Sequence, residues 1–233
     1  MNRTLNLETF PNSEAASEAA AQALIQRLRP AGEKRLMVTG GRSPGPVFDR
    51  LAQTDLDWSR VAITLSDERF VDPASPDSNE RLVRERLLRG HAAAARFTPL
   101  KGPGPSAADD AAAAEPKVRV LLPFDASLLG MGDDGHIASL FPGTPGLAAA
   151  LDPEGKRLVV GVESAGQPPY VPRISLTARA LFDTQAVVLL VGGEGKRALL
   201  ERALADPAFD LPVSALLNQT RAPVRILWSP AVA

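Results

Sequence analysis

Three observations predict an α/β fold for this 233-residue chain, a mostly parallel sheet with helices on both faces. Short, near-continuous apolar runs such as Val61–Leu65 (VAITL) and Ala186–Gly192 (AVVLLVG) have the character of strands buried on both sides. Segments of helical periodicity alternate with them, and glycine-dense loops follow several of the runs. No repeat with a period of about 20 to 50 residues is present, which argues against a solenoid. No linker is strong enough to divide the chain, so residues 1–233 read as one Rossmann-like domain.

The elements follow in order. Asn12–Arg29 begins with polar Asn12, Ser13 and Glu14 and continues through an alanine-rich stretch bearing Leu24, Ile25 and Leu28, a capped amphipathic helix stopped by Pro30 and Gly32. Arg35–Thr39 (RLMVT) is a strand entering GGRSP, and Pro46–Gln53 is a helix carried by Val47, Phe48 and Leu51. Val61–Leu65 delivers Ser66, Asp67, Glu68 and Arg69 to its carboxyl end. Ser78–Arg89 is a helix with Leu82, Val83, Leu87 and Leu88 on one side and Gly90 after its end. An alanine-rich helix follows the Gly/Pro turn of KGPGPSAADDAAAAEP, and periodicity leaves Val118–Leu122 open between helix end and strand. Phe124–Leu129 (FDASLL) is a strand ending in GMGDDGH. Further strands are predicted at Arg157–Glu163 (RLVVGVE), Ala186–Gly192 and Val224–Trp228 (VRILW), with a helix near Lys196–Ala205 between the last two.

Composition removes whole classes of chemistry. The chain has no cysteine and two histidines, His91 and His136, so disulfides, thiolate nucleophiles, zinc fingers and three-histidine metal sites are excluded. A formal charge of −1, from 26 Lys+Arg and 27 Asp+Glu, gives no electrostatic footprint for nucleic acid or an anionic membrane. The N-terminal MNRTLNLETFPNSEAASEAAAQ has no apolar leader core, and no run approaches the roughly 18 apolar residues that span a bilayer. A cytoplasmic protein is expected.

Ligands of open α/β sheets gather outside the carboxyl ends of the strands, so the loops there are read together. In GGRSP, Gly40, Gly41, Arg42 and Ser43 offer backbone amides, a cation and a hydroxyl to an anion at a helix start; a tight turn explains the same glycines. Lys196 in VGGEGK stands at a helix start, where a cation is unfavourable unless an anion is bound; a solvated surface lysine is the alternative. It is not a P-loop, which requires glycine at Leu190 and a hydroxyl at Arg197. GMGDDG, residues 130–135, matches GxGxxG after a strand, but Pro142 and Pro145 leave room for barely one helical turn, so a dinucleotide site is rejected. What remains there is Asp134 beside His136, a carboxylate able to orient an imidazole for proton transfer. His91, next to a helix-ending glycine, reads as structural. Asp67 and Arg69 fall at a strand's carboxyl end, where a solvated ion-paired turn is the plain alternative, and pattern alone leaves Arg173 in PPYVPRISLT a surface arginine.

Taken together, VTGGRSP, LSDERFVDPASPDSNERLV, LLGMGDDGHIASLFPG, PRISLT and GGEGK resemble the 6-phosphogluconolactonases in order, spacing and local sequence over nearly the whole chain. The resemblance implies a fold similar to glucosamine-6-phosphate deaminases and hydrolysis of 6-phospho-D-glucono-1,5-lactone, a carboxylic ester, in the oxidative pentose phosphate pathway. It implies no cofactor and no metal, and a small sugar-phosphate lactone as partner; the sequence leaves the oligomeric state open, a monomer being favoured. Carried over, His136 is the general base on water, Asp134 or Asp67 holds that water or the sugar hydroxyls, and Arg69 stabilises the developing oxyanion. The 6-phosphate falls to Gly40, Gly41, Arg42, Ser43, Arg173 and Lys196. The rival reading is a sugar-phosphate deaminase or isomerase, which resembles GHIAFNEP and DEY where this chain has GHIASLFP and DER, so that Phe141 replaces an acid/base glutamate. A non-catalytic sugar-phosphate sensor is disfavoured by the presence of Asp67, Arg69, Asp134 and His136 together.

Overall fold

An apolar residue at every position leaves a strand no solvent face, and such strands belong in a covered sheet. A computed structural model, which describes residues 7–163, 170–206 and 211–230, has this arrangement. The first six residues of the N-terminal segment lie outside that set. In chain order the elements are β1 (Leu7–Thr9), α1 (Ser13–Leu28), β2 (Lys34–Val38), α2 (Gly45–Gln53), β3 (Val61–Leu65), β4 (Asp67–Arg69), α3 (Asn79–Arg86), β5 (Arg96–Thr98) and α4 (Ala107–Arg119). They continue through β6 (Ala126–Gly130), α5 (Leu147–Leu151), β7 (Val159–Val162), β8 (Arg173–Leu176), α6 (Ala178–Leu181), β9 (Val187–Gly192), α7 (Glu194–Ala205), α8 (Pro212–Asn218) and β10 (Val224–Ser229).

Seven strands form a wholly parallel sheet in the order β1-β10-β9-β6-β2-β3-β5. β3 and β9 are buried along their whole length. The chain runs outward from β2 through β3 and β5, then returns to the other side of β2 as β6 before continuing to β9 and β10. Strand order therefore reverses between β2 and β6, and a crevice opens at such a reversal outside the carboxyl ends.

Local chemistry accounts for the helices that frame this point. The Asn12 side chain accepts from the Ala15 amide and caps α1. Ala16, Ala20, Leu24 and Leu28, four residues apart, are fully buried where α1 meets β6, β9 and β10. Ser78 caps α3 and Ser106 caps α4 by accepting from the amides of Arg81 and Asp109.

Several expectations change. Val118 and Arg119 complete α4, so the ambiguous segment is a helix end. The Arg157–Glu163 run does supply a strand, β7, but it lies in a second, antiparallel sheet of order β4-β8-β7. Gly161 explains its partner: a β-carbon there would fall 2.6 Å from the Ala108 amide nitrogen, so α4 packs directly on this strand. The DER segment is not a solvated turn, because Asp67–Arg69 is β4. α3 stops at Arg86, short of Arg89, and His91 is exposed in a following 3₁₀ turn, Gly90–Ala94. No helix among the described residues is long and apolar enough to cross a membrane.

Candidate active site

A cavity of about 280 Å³ occupies the crevice between the carboxyl ends of β2 and β6. Of the residues singled out from sequence, Gly40, Gly41, Arg42, Ser43, Asp67, Arg69, His136 and Lys196 line it. Asp134 is hydrogen-bonded to His136, and Arg173 lies buried in β8 and is not among the lining residues.

The loop after β6 positions the imidazole. Asp134 Oδ1 lies 2.6 Å from His136 Nδ1 and also accepts from the His136 amide at 3.2 Å. The Gly132 amide donates to the His136 carbonyl, and the Gly135 amide donates to the Gly132 carbonyl, closing the loop on itself. A carboxylate at Nδ1 assigns the ring proton to that nitrogen and leaves Nε2 of the neutral ring as an acceptor. Phe141 packs against the imidazole with ring centroids 4.5 Å apart. No α-helix begins at Gly135; the next helix is α5, at Leu147, which agrees with rejecting a dinucleotide site.

β4 and the start of α3 form the opposite wall. The Asp67 carboxylate accepts the Ser66 hydroxyl at 2.7 Å and the Ser139 hydroxyl at 2.6 Å, one on each oxygen. Glu68 is 1% exposed and accepts four hydrogen bonds, from the amides of Arg69, Asn79 and Glu80 and from the Ser78 hydroxyl. Burial pushes its carboxyl up from the ordinary range, and the backbone donors at the α3 N-terminus pull against that. Arg69 Nη1 donates to the Asp77 carbonyl at 2.7 Å and to Asn79 Oδ1 at 3.2 Å. Asn79 Nδ2 donates to the Asp67 carbonyl, and a β-carbon on Gly40 would fall 1.8 Å from Asn79 Oδ1. The glycine loop is thereby packed directly against the side chain that holds Arg69.

Cations converge on the same region. Arg173 stands opposite Arg69 in the β4–β8 register. Burial, and then the neighbouring Arg69 charge, lower its guanidinium below the usual range. Two adjacent guanidinium groups are relieved by an anion between them or nearby. Gly41 adopts φ +89°, a left-handed conformation open to glycine, where the chain turns from β2 toward α2. Lys196, in the first turn of α7, donates to the Met131 carbonyl at 2.7 Å and lies 3.6 Å from Asp133. Its ammonium is held by the loop after β6, so it is not simply solvated. Asn79, Ser139, Glu68 and Gly132 escaped the sequence reading as individual site residues. The SN dipeptide and the serine of GHIAS were visible only as parts of motifs.

A histidine–carboxylate couple, two arginines, a lysine and a glycine loop around one crevice define an α/β enzyme for a small anionic substrate. Residues 11–228 match the model of the family described as glucosamine-6-phosphate isomerases/6-phosphogluconolactonase, and the chain belongs to that family. It is 46% identical over 229 residues to the 6-phosphogluconolactonase of Caulobacter vibrioides, covering 97% of each chain. The crystal structure of a 6-phosphogluconolactonase from Shewanella baltica superposes with a TM-score of 0.92 at 34% identity, covering 98% of this chain and 99% of that one. A monomeric glucosamine-6-phosphate deaminase, 20% identical, shares the fold with a TM-score of 0.79 over 95% of this chain and 97% of its own.

Proposed function

We propose that this chain hydrolyses 6-phospho-D-glucono-1,5-lactone to 6-phospho-D-gluconate, with His136 as general base. The observation that carries the reading is the His136–Asp134 couple at a cavity also lined by Arg69 and Lys196. A δ-lactone is an activated ester, so a positioned water and one base suffice. Nε2 of His136 takes a proton from water as the water oxygen attacks C1, while Asp134 holds the ring through Nδ1. Asp67 accepts a hydrogen bond from the other hydrogen of that water. Arg69 opposes the negative charge developing on the carbonyl oxygen. The bond from C1 to the ring oxygen then breaks, and the departing oxygen takes the proton from His136, opening the ring to the acid.

The 6-phosphate is assigned to the loop Gly40–Ser43 and Lys196, which line the cavity, while the buried Arg173 behind Arg69 adds positive charge from outside the cavity wall; the phosphate is a remote anchor that positions the ring. A deaminase reading is opposed by Phe141, since the ring 4.5 Å from His136 cannot transfer a proton where those enzymes use glutamate. The test is hydrolysis of lactone generated in place from glucose 6-phosphate, beside a glucosamine 6-phosphate control. Wild-type protein is expected to exceed the spontaneous rate on the lactone alone, and His136→Ala to lose about 10²- to 10⁴-fold. An undiminished rate in His136→Ala would reject the base.

A further inference from the structure

Resting on the lactonase reading, we infer that Ser139 is a positioning residue of the reaction: its hydroxyl fixes the direction of the Asp67 carboxylate and ties that carboxylate to the loop carrying His136.

Ser139 is 2% exposed and sits three residues after His136, yet its hydroxyl reaches Asp67 Oδ2 at 2.6 Å across 72 positions of sequence. A hydroxyl has one hydrogen, and here the carboxylate receives it. The main chain of Ser139 is equally constrained. Its amide donates to Ser175 Oγ at 3.1 Å, and the Ser175 hydroxyl donates onward to the Leu176 carbonyl at 3.0 Å, inside β8. Ser175 is also the residue paired with Asp67 in the β4–β8 register. The serine is therefore anchored to the same small sheet as the carboxylate it orients.

The backbone before it is shaped for the purpose. Ile137–Leu140 is a tight turn closed by the Leu140 amide on the Ile137 carbonyl at 3.0 Å, and Ala138 within it has φ +49°. Among the described residues this is the one non-glycine at positive φ. Alanine adopts that conformation when its surroundings impose it, and such positions cluster where geometry serves chemistry. The turn lets one short loop serve two groups, with His136 facing the cavity and Ser139 reaching back to Asp67. With Ser66 on Oδ1 and Ser139 on Oδ2, the carboxylate cannot rotate without losing a buried hydrogen bond. A carboxylate held in one direction holds the attacking water in one direction.

The experiment compares wild type, Ser139→Ala and Ser139→Thr on the phosphorylated lactone and on unphosphorylated gluconolactone, with thermal melts of each. Wild-type hydrolysis is measured first; its absence would reject the lactonase reading itself. Given that activity, Ser139→Ala is expected to lose about 10- to 100-fold in kcat, the worth of one hydrogen bond to a charged group, with KM within about twofold. The same factor is expected on both lactones, because Asp67 acts at the ring and not at the phosphate. Ser139→Thr, which keeps the hydroxyl, is expected to recover most of the loss. Ser66→Ala removes the other donor from a different segment and is expected to reproduce the kcat-confined loss. A kcat within twofold of wild type in Ser139→Ala would overturn the inference whatever the threonine variant does, as would a loss expressed in KM on the phosphorylated lactone alone.

Discussion

Gly132 and His136 are in such close contact that a β-carbon on residue 132 would fall 2.1 Å from both Nδ1 and Cε1 of the imidazole and 2.8 Å from Asp134 Oδ1. Glycine at this position is what allows the His136–Asp134 couple, the proposed base and its carboxylate, to close over the loop that carries it. Gly132→Ala must displace the ring, the carboxylate or both. A displacement on the order of 1 Å costs about 10²-fold in rate. The variant is expected to fall to nearly the level of His136→Ala on fresh lactone. Steady-state kinetics paired with a thermal melt checks this, and a folded Gly132→Ala protein with wild-type kcat would show that the close packing of His136 on residue 132 does not set the rate.

Lys196 makes a separable prediction because its ammonium is held 2.7 Å from the Met131 carbonyl at the edge of the cavity, far in sequence from the β2 loop. If it meets the 6-phosphate, Lys196→Ala removes one charge-assisted hydrogen bond, worth about 10- to 100-fold in kcat/KM. The loss is expected on the phosphorylated lactone and to be several-fold smaller on gluconolactone. Equal losses on the two substrates would assign Lys196 to holding the Met131 loop and not to the phosphate.

What was legible in the sequence is what local pattern encodes. VAITL and AVVLLVG announce β3 and β9 because both faces of those strands are buried and nearly every residue is apolar, Thr64 satisfying its hydroxyl on the Thr98 carbonyl. Asn12 and the spacing of Leu24 and Leu28 announce α1 through a cap and a stripe. His136, Asp134, Asp67 and Arg69 stand out because chemistry-bearing residues follow strands. The second sheet was not legible: β4 and β8 are three and four residues long, carry Asp67, Glu68, Arg69 and Arg173, and owe their pairing to each other across roughly a hundred positions. Polar residues in a strand look like a turn until the partner strand is known. Ser139 and Asn79 were hidden for the same reason, since each acts through a hydrogen bond to a segment that sequence does not place beside it.

Glu68 joins the two halves of the DER and SN motifs. Its Oε1 accepts from the Arg69 and Asn79 amides and its Oε2 from the Glu80 amide and the Ser78 hydroxyl, all in a buried setting. Glutamine keeps the shape but replaces one acceptor oxygen with an NH₂ facing two donors. Leaving buried donors without an acceptor costs about 1 to 3 kcal/mol each. Glu68→Gln is expected to lose on the order of 2 to 4 kcal/mol in urea unfolding, together with activity, since Arg69 and Asn79 lose a common anchor. A variant with unchanged unfolding free energy would show that the α3 N-terminus is held by something other than this carboxylate.

The edge of the main sheet offers a pH test whose sign is set by one ion pair. Glu8 on β1 receives the Arg225 guanidinium of β10 on both carboxylate oxygens, and this hydrogen bonding lowers the Glu8 carboxyl below its usual range. A folded-state value below the unfolded one, about 4.3 for glutamate, makes the contribution fully present above that unfolded value. It is lost as pH falls through the lower folded value. With the Arg225 side chain 43% exposed and that of Glu8 28%, solvent screening holds the pair to about 0.5 to 1 kcal/mol. Arg225→Met, which retains an apolar stem of similar length, is expected to be less stable than wild type by that amount near pH 7. The gap is expected to close as pH is lowered toward about 3, and to narrow in high salt at neutral pH. Urea unfolding of both proteins at the two pH values measures it, and an equal gap at both would show that the arginine stabilises β1 by packing and not through the charge on Glu8.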